Sequence, residues 1–225
     1  MSQKLLVTGA SGHLGRLVLD QLLANGVAAG DIIATTRDIS KLADYAAKGV
    51  EVRKADFNDE AGLVAAFRGA DRLALISTDA IDGNGTRLKQ QTAAVDAAKA
   101  AGVKHIVYTS MPNPHVNSRI TFAGDHRGTE EAIKASGLGY TILRNAWYQE
   151  NLFMNLPQVL ASGHWYTSTG GGKTSHIARA DCAAALAAAL ASDSTESKTY
   201  TLTGAEKRTT AEIAALASEV LGKPI

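Results

Sequence analysis

Leu5-Leu6-Val7-Thr8-Gly9-Ala10-Ser11-Gly12-His13-Leu14-Gly15 decides how the rest of the chain is read. Three apolar residues predict a short buried strand and the glycines a tight turn. Leu14, Leu17, Val18 and Leu22 predict one apolar face of a helix that begins directly afterwards. Each glycine has its own part in such a turn: Gly9 permits the bend, Gly12 keeps a Cβ away from whatever lies on the backbone, and Gly15 lets helix and strand pack closely. A helix N-terminus with free amides attracts phosphate. Strand, turn and helix therefore point to a dinucleotide pyrophosphate held by Gly9, Ala10, Ser11, Gly12, His13, Leu14 and Gly15. A second strand, Ile32-Ile33-Ala34-Thr35-Thr36, follows at the spacing of one βαβ unit, which lifts the pattern above an ordinary glycine turn.

The end of that second strand bears on which dinucleotide. Where a carboxylate would accept from an NAD ribose, the chain has Thr36-Arg37-Asp38 and then Lys41. A guanidinium grips a 2′-phosphate in bidentate fashion and a carboxylate repels it, so the expected cofactor is NADPH, with Arg37 and Lys41 near the phosphate. Asp38 argues weakly the other way, unless its side chain caps the helix that starts near Ile39 or Ser40.

Composition narrows the class. With 225 residues, 45% hydrophobic and 20% charged, the chain suits one sizeable core, or a core plus a small accessory lobe. A net charge of +1 without a basic run gives no electrostatic footprint for nucleic acid or an anionic membrane. The chain enters a strand almost at once, and the apolar run Ala183–Ala191 is too short to span a bilayer, so the expected compartment is the cytoplasm. Cys182 is the single cysteine, which excludes an internal disulfide and a cysteine-based zinc site. No metal is expected, and Cys182 reads as a small buried thiol.

Beyond the first two strands the pattern keeps a βαβ rhythm. It predicts helices at 40–47, 60–67, 86–101 and 125–136, alternating with strands at 50–54, 72–77, 105–110 and 140–143. Gly49, Gly69, Gly102 and Gly139 are expected to end helices. The fold class is α/β, a doubly wound parallel Rossmann sheet of six strands over residues 1–147. Residues 148–225 read as a small C-terminal, substrate-side lobe interleaved with it, containing a helix at 181–191, a strand at 199–202 and a helix at 210–221. Ligands of such a sheet lie at the C-terminal strand ends, here residues 8–12, 36–41, 55–58, 77–79, 110–114 and 144–151. Gly172-Lys173-Thr174 imitates a P-loop, but no apolar strand precedes it and the leading glycine is missing, so it reads as a surface turn.

Together with the glycine turn and Thr36-Arg37-Asp38, three segments carry a resemblance: Gly49-Val50-Glu51-Val52-Arg53, Ala101-Gly102-Val103-Lys104-His105-Ile106-Val107-Tyr108-Thr109-Ser110 and Leu143-Arg144-Asn145-Ala146-Trp147-Tyr148-Gln149-Glu150-Asn151. Over essentially its whole length the chain resembles the NmrA-like branch of the atypical short-chain dehydrogenases, and within it the bacterial NAD(P)H:quinone oxidoreductases and triphenylmethane reductases. The resemblance implies that the glycine loop holds the pyrophosphate and Arg37 the 2′-phosphate. It also implies that Asp56 and Phe57 flank the adenine, that Ser77 and Thr78 lie along the ribose, and that Asn145 to Tyr148, with Trp147 between them, border the nicotinamide. Tyr148, Ser110 and Met111 are the residues expected to face a substrate. Asp59 reads equally well as a helix cap. Members of the family usually continue for several tens of residues past the point where this chain ends, so part of the pocket wall is expected to be missing or supplied differently.

Ordinary members of the wider group use Tyr-x-x-x-Lys, in which lysine lowers the phenol pKa. No tyrosine here has lysine four residues on: Tyr140 leads to Arg144, Tyr148 to Leu152, Tyr108 to Pro112 and Tyr45 to Gly49. Some quinone-reducing relatives carry His-x-x-x-x-Lys, and the corresponding pair here is His126 and Glu131. A quinone is electrophilic enough to accept hydride without strong acid assistance. The expected activity is thus NADPH-dependent hydride transfer to a conjugated small-molecule acceptor such as a quinone, with His126 as the candidate proton donor. An NADP(H)-binding redox sensor acting through a protein partner and a reductase of triphenylmethane dyes or other xenobiotics stand as alternatives. A homodimer is left open.

Overall fold

The chain runs β1 (Leu5–Val7), α1 (His13–Ala24), β2 (Ile32–Thr36), α2 (Ala43–Ala46), β3 (Glu51–Lys54), α3 (Glu60–Phe67), β4 (Arg72–Leu75), α4 (Thr86–Ala100), β5 (His105–Ser110), α5 (Ala123–Ala135), β6 (Gly139–Asn145), α6 (Leu156–Ser162), β7 (Lys173–Thr174), α7 (Arg179–Ala191), β8 (Lys198–Leu202), β9 (Arg208–Thr209) and α8 (Thr210–Leu221) in the computed structural model, which describes residues 2–225. One sheet has the order β3-β2-β1-β4-β5-β6-β8, every pairing parallel, while β7 and β9 form a separate antiparallel ladder. The strand order reverses between β1 and β4, which opens a crevice over their C-terminal ends.

Helices cover both faces, so the inner strands β1, β2 and β4 are buried without a break and mostly apolar. Period-2 geometry sends Leu5 and Val7 to one side and Leu6 to the other. On the first side Val18, Leu19 and Leu22 of α1 pack with Leu186, Ala187 and Leu190 of α7. On the second, Leu63 and Phe67 of α3, Val95 and Ala98 of α4 and Ile133 of α5 meet Leu73, Ile106 and Tyr108.

The sheet has seven strands where six were expected. The extra one is β8, which pairs with β6 from Thr141↔Lys198 to Asn145↔Leu202. Residues 148–225 therefore supply both a helix of the first layer and an edge strand, and what remains of the expected lobe is the segment with α6, β7, β9 and α8. Buried Arg72 joins the two parts: at the start of β4, its guanidinium donates to the carbonyls of Ala189, Leu190 and Ser194, each at 3.0 Å. Those of Ala189 and Leu190 sit at the C-terminal end of α7, where helix oxygens lack intrahelical partners and a cation is favoured, and that of Ser194 lies just beyond it. Gly137, with φ 82°, ends α5 in place of the expected Gly139, which opens β6 instead. Among the described residues no helix is long and apolar enough to cross a membrane.

Candidate functional site

The crevice holds a cavity of about 290 Å³ lined by the glycine turn and the ends of β2, β3 and β4. Gly9 adopts φ +58°, and its carbonyl accepts from Gly12 N–H at 3.0 Å. A Cβ on Gly15 would lie 2.4 Å from the Gly9 oxygen and 2.7 Å from Ala10 Cα, so α1 could not approach the turn with any larger residue there. Gly12 caps α1 without a side chain, and the first turn carries no acidic residue. The first amides of α1 are therefore left to bind an anion. Gly9, Ser11, Gly12, His13, Leu14 and Gly15 line the cavity, whereas Ala10 is buried and donates its N–H to Thr35 O at 3.0 Å. Ser11 and Thr36 join across the floor, Oγ to Oγ1 at 2.8 Å.

Arg37 is exposed, lines the cavity and forms no ion pair among the described residues. Asp38 is turned away: its Oδ1 accepts from Ser40 N–H at 3.1 Å and Ser40 Oγ at 2.6 Å. Those two bonds hold its carboxyl below the usual range, and it caps the turn Ile39–Leu42. Lys41, expected beside Arg37, is not part of the cavity wall. It contributes its carbonyl to Arg16 Nη1 at 2.8 Å, and its side chain is exposed.

Asp56 and Phe57 line the opposite wall. Asp56 Oδ1 accepts from both the backbone and the side chain of Asn58, which in turn accepts from Gln90 on α4. Asp59 caps α3 through Gly62 N–H at 3.0 Å. Ser77 and Thr78 complete the wall; Ser77 N–H donates to Thr109 Oγ1 at 2.9 Å, and the buried Thr78 Oγ1 has no partner. Asn58 and Asp79 fall within strand ends that the sequence marked. Gln90 and Ile76 carried no such signal.

At the ends of β5 and β6 a second, wider cleft of about 980 Å³ is lined by Met111, Phe122, Asn145 and Trp147, with Arg119 and Lys173 also in its wall. Trp147 is 50% exposed there. Buried Asn145 donates from Nδ2 to the Tyr148 hydroxyl at 3.1 Å, and its Oδ1 is a buried acceptor with no partner. Phe122 and Arg119 were not singled out from sequence, because no strand-end or motif rule reaches them, and Lys173 was read only as part of a surface turn.

Three further expectations need correction. Ser110 does not present its hydroxyl to a substrate; it donates to Glu130 Oε1 at 2.7 Å, and Arg144 holds the same carboxylate through Nε and Nη2 at 2.9 and 2.7 Å. Burial alone would raise the Glu130 pKa, but the bonds from Arg144 and Ser110 outweigh it and leave the carboxyl below its ordinary value. Tyr148 packs against the core, with Arg179 over its ring at 5.0 Å from the centroid. Burial pushes its phenol up to about 12, so it stays protonated.

His126 is neither at the surface nor at the cleft. It is 4% exposed, with Nδ1 2.8 Å from the Tyr108 hydroxyl and Nε2 3.2 Å from Arg87 Nη1. Arginine can only donate, which makes Nε2 an acceptor and places the imidazole proton on Nδ1. Burial, and after it the Arg87 charge, lowers its pKa to about 4. Both nitrogens are occupied and the ring is neutral at pH 7, so His126 does not fit the part of proton donor.

The sequence pattern of the NmrA-like family matches residues 1–225. Quinone oxidoreductase 2 of Escherichia coli is 39% identical over 219 residues, covering 97% of this chain and 75% of that protein. Two solved structures superpose with a TM-score of 0.91 at 38% identity. The triphenylmethane reductase of Citrobacter sp. in complex with NADP(H) covers all of this chain and is itself covered to 78%. The NADPH-dependent quinone oxidoreductase of Escherichia coli, in complex with NADPH, covers 97% and is covered to 76%.

Proposed function

The chain belongs to the NmrA-like family, and from that premise and the geometry of the crevice we propose that it is an NADPH-dependent reductase passing hydride to a conjugated acceptor such as a quinone. One observation carries the cofactor: Arg37 lines the cavity without a carboxylate partner while Asp38 is committed to Ser40. The residues fit the group, since Gly12 places no side chain at the start of α1, Gly15 has no room for a Cβ against the Gly9 carbonyl, and Thr78, a residue of the same cavity lining, has a buried hydroxyl without a partner. When bound, NADPH supplies a hydride from its nicotinamide; with one proton from solvent a quinone becomes a hydroquinone and NADP⁺ remains.

The protein's own contribution is placement. Met111, Phe122 and Trp147 give the wide cleft apolar faces for a planar ring. The Ser110–Glu130–Arg144 cluster ties the ends of β5 and β6 together, which fixes Met111 and Asn145 on either side of it. Neither His126 nor Tyr148 is set to deliver a proton, so the acceptor draws it from water in the open cleft, as a strong electrophile allows. The test is stoichiometric. Anaerobic incubation with NADPH and a small quinone should yield one hydroquinone per NADPH consumed, and NADPH binding without hydroquinone formation would overturn the reading.

A further inference from the structure

The wide cleft is uneven in charge. Its lining includes Arg119, Lys173 and His115 but neither aspartate nor glutamate, in a chain whose 23 basic and 22 acidic residues nearly balance. Arg119 forms no ion pair among the described residues. Lys173 meets one carboxylate, Glu212 on α8, at 3.5 Å with both side chains about half exposed, and a pair of that kind neutralises little. The two cations come from distant segments, the loop after β5 and the short β7, yet they share a cavity with the apolar faces of Met111, Phe122 and Trp147. A planar ring seated in that cavity therefore shares it with both cations.

We propose that this cleft selects conjugated acceptors bearing an anionic substituent, such as a carboxylate, sulfonate or phosphate, over uncharged ones, and disfavours cationic dyes. The fate of the acceptor rests on the reductase reading; its charge class is what the cleft adds. The same field suits the product. Hydride brings two electrons and one hydrogen to a quinone, which leaves an oxyanion until water protonates it, while the nicotinamide becomes oxidised. Exposed cations of this kind each contribute a few-fold in affinity, so the two together give about tenfold at low salt. That preference decays towards parity near 1 M salt, where the screening length is about 3 Å.

The experiment uses three naphthoquinones with one ring and one saturated tail, ending in carboxylate, carboxamide or trimethylammonium. The ring potential is then common to all. Affinity is measured by calorimetry on the NADP⁺-loaded protein, and kcat/KM with NADPH. Carboxylate is expected to bind about tenfold tighter than carboxamide and ammonium most weakly, with Arg119→Gln plus Lys173→Gln bringing the carboxylate-to-carboxamide ratio close to one. Equal affinities in the wild type, or a ratio that survives the double substitution, would overturn the proposal. Reduction of all three at equal kcat/KM sinks charge selection and leaves the reductase reading standing. Tight carboxylate binding without NADPH consumption does the reverse.

Discussion

Replacing Arg37 with alanine tests how the cavity tells its cofactors apart. The guanidinium lines the cavity, is exposed and has no carboxylate to release it from, so its deletion removes a contact to the 2′-phosphate without freeing a buried charge. A hydrogen bond to a charged group contributes about 1.5–3 kcal/mol, and exposure places this one towards the lower end. With about 1.4 kcal/mol per factor of ten, NADPH affinity should fall roughly 10- to 30-fold. NADH lacks the phosphate and should bind Arg37→Ala about as it binds the wild type. Fluorescence titration of both reduced nucleotides reads the two affinities directly, and the NADPH difference should shrink as salt rises. Asp38→Ala is the control, because Asp38 caps the Ile39–Leu42 turn and its loss should disturb both nucleotides alike. Equal losses for NADPH and NADH in Arg37→Ala would refute the 2′-phosphate assignment.

Other perturbations follow from the same contacts. Gly15→Ala drives a methyl into the Gly9 carbonyl and Ala10 Cα, and should lower stability by about 1–3 kcal/mol in urea titration while abolishing nucleotide binding; unchanged binding would mean the turn is not the cradle. Glu130→Ala strips Ser110 and Arg144 of their shared acceptor and should cost about 3 kcal/mol, since a buried ion-paired network is broken from one side. His126 and His105 both have pKa values lowered by burial to about 4. The unfolded chain binds those protons first, so stability should be full above about pH 6.5 and fall by about 2–3 kcal/mol per imidazole as pH drops towards 4. A melting temperature that is flat across that window would contradict the buried neutral assignment.

Much of this was readable from local chemistry. The limits of α3 and β5 follow from a cap at Asp59, from Gly102 and from the apolar residues within each, and the cradle was legible because glycine suits the conformation at Gly9 and the contact at Gly15. Asp38 as a cap was one of two readings that its own neighbours allowed, and Ser40 decides between them. What local chemistry did not show depends on distant partners. Strand β8 joins β6 across more than fifty residues, and an alanine-rich helix carries no mark saying that it covers the main sheet and not a lobe. His126 looked like a helix-start residue, but Arg87 from α4 and Tyr108 from β5 close over it. Ser110 and Tyr148 are at strand ends, as expected of ligand residues, yet Glu130 and Asn145 turn their hydroxyls inward.

The most direct test of the central claim is the steady-state loss of reduced-nicotinamide absorbance with purified protein and a small quinone, NADPH and NADH in parallel. Quinone-dependent oxidation with higher kcat/KM for NADPH is the predicted result. Absence of turnover with every conjugated acceptor, or a preference for NADH, would contradict it.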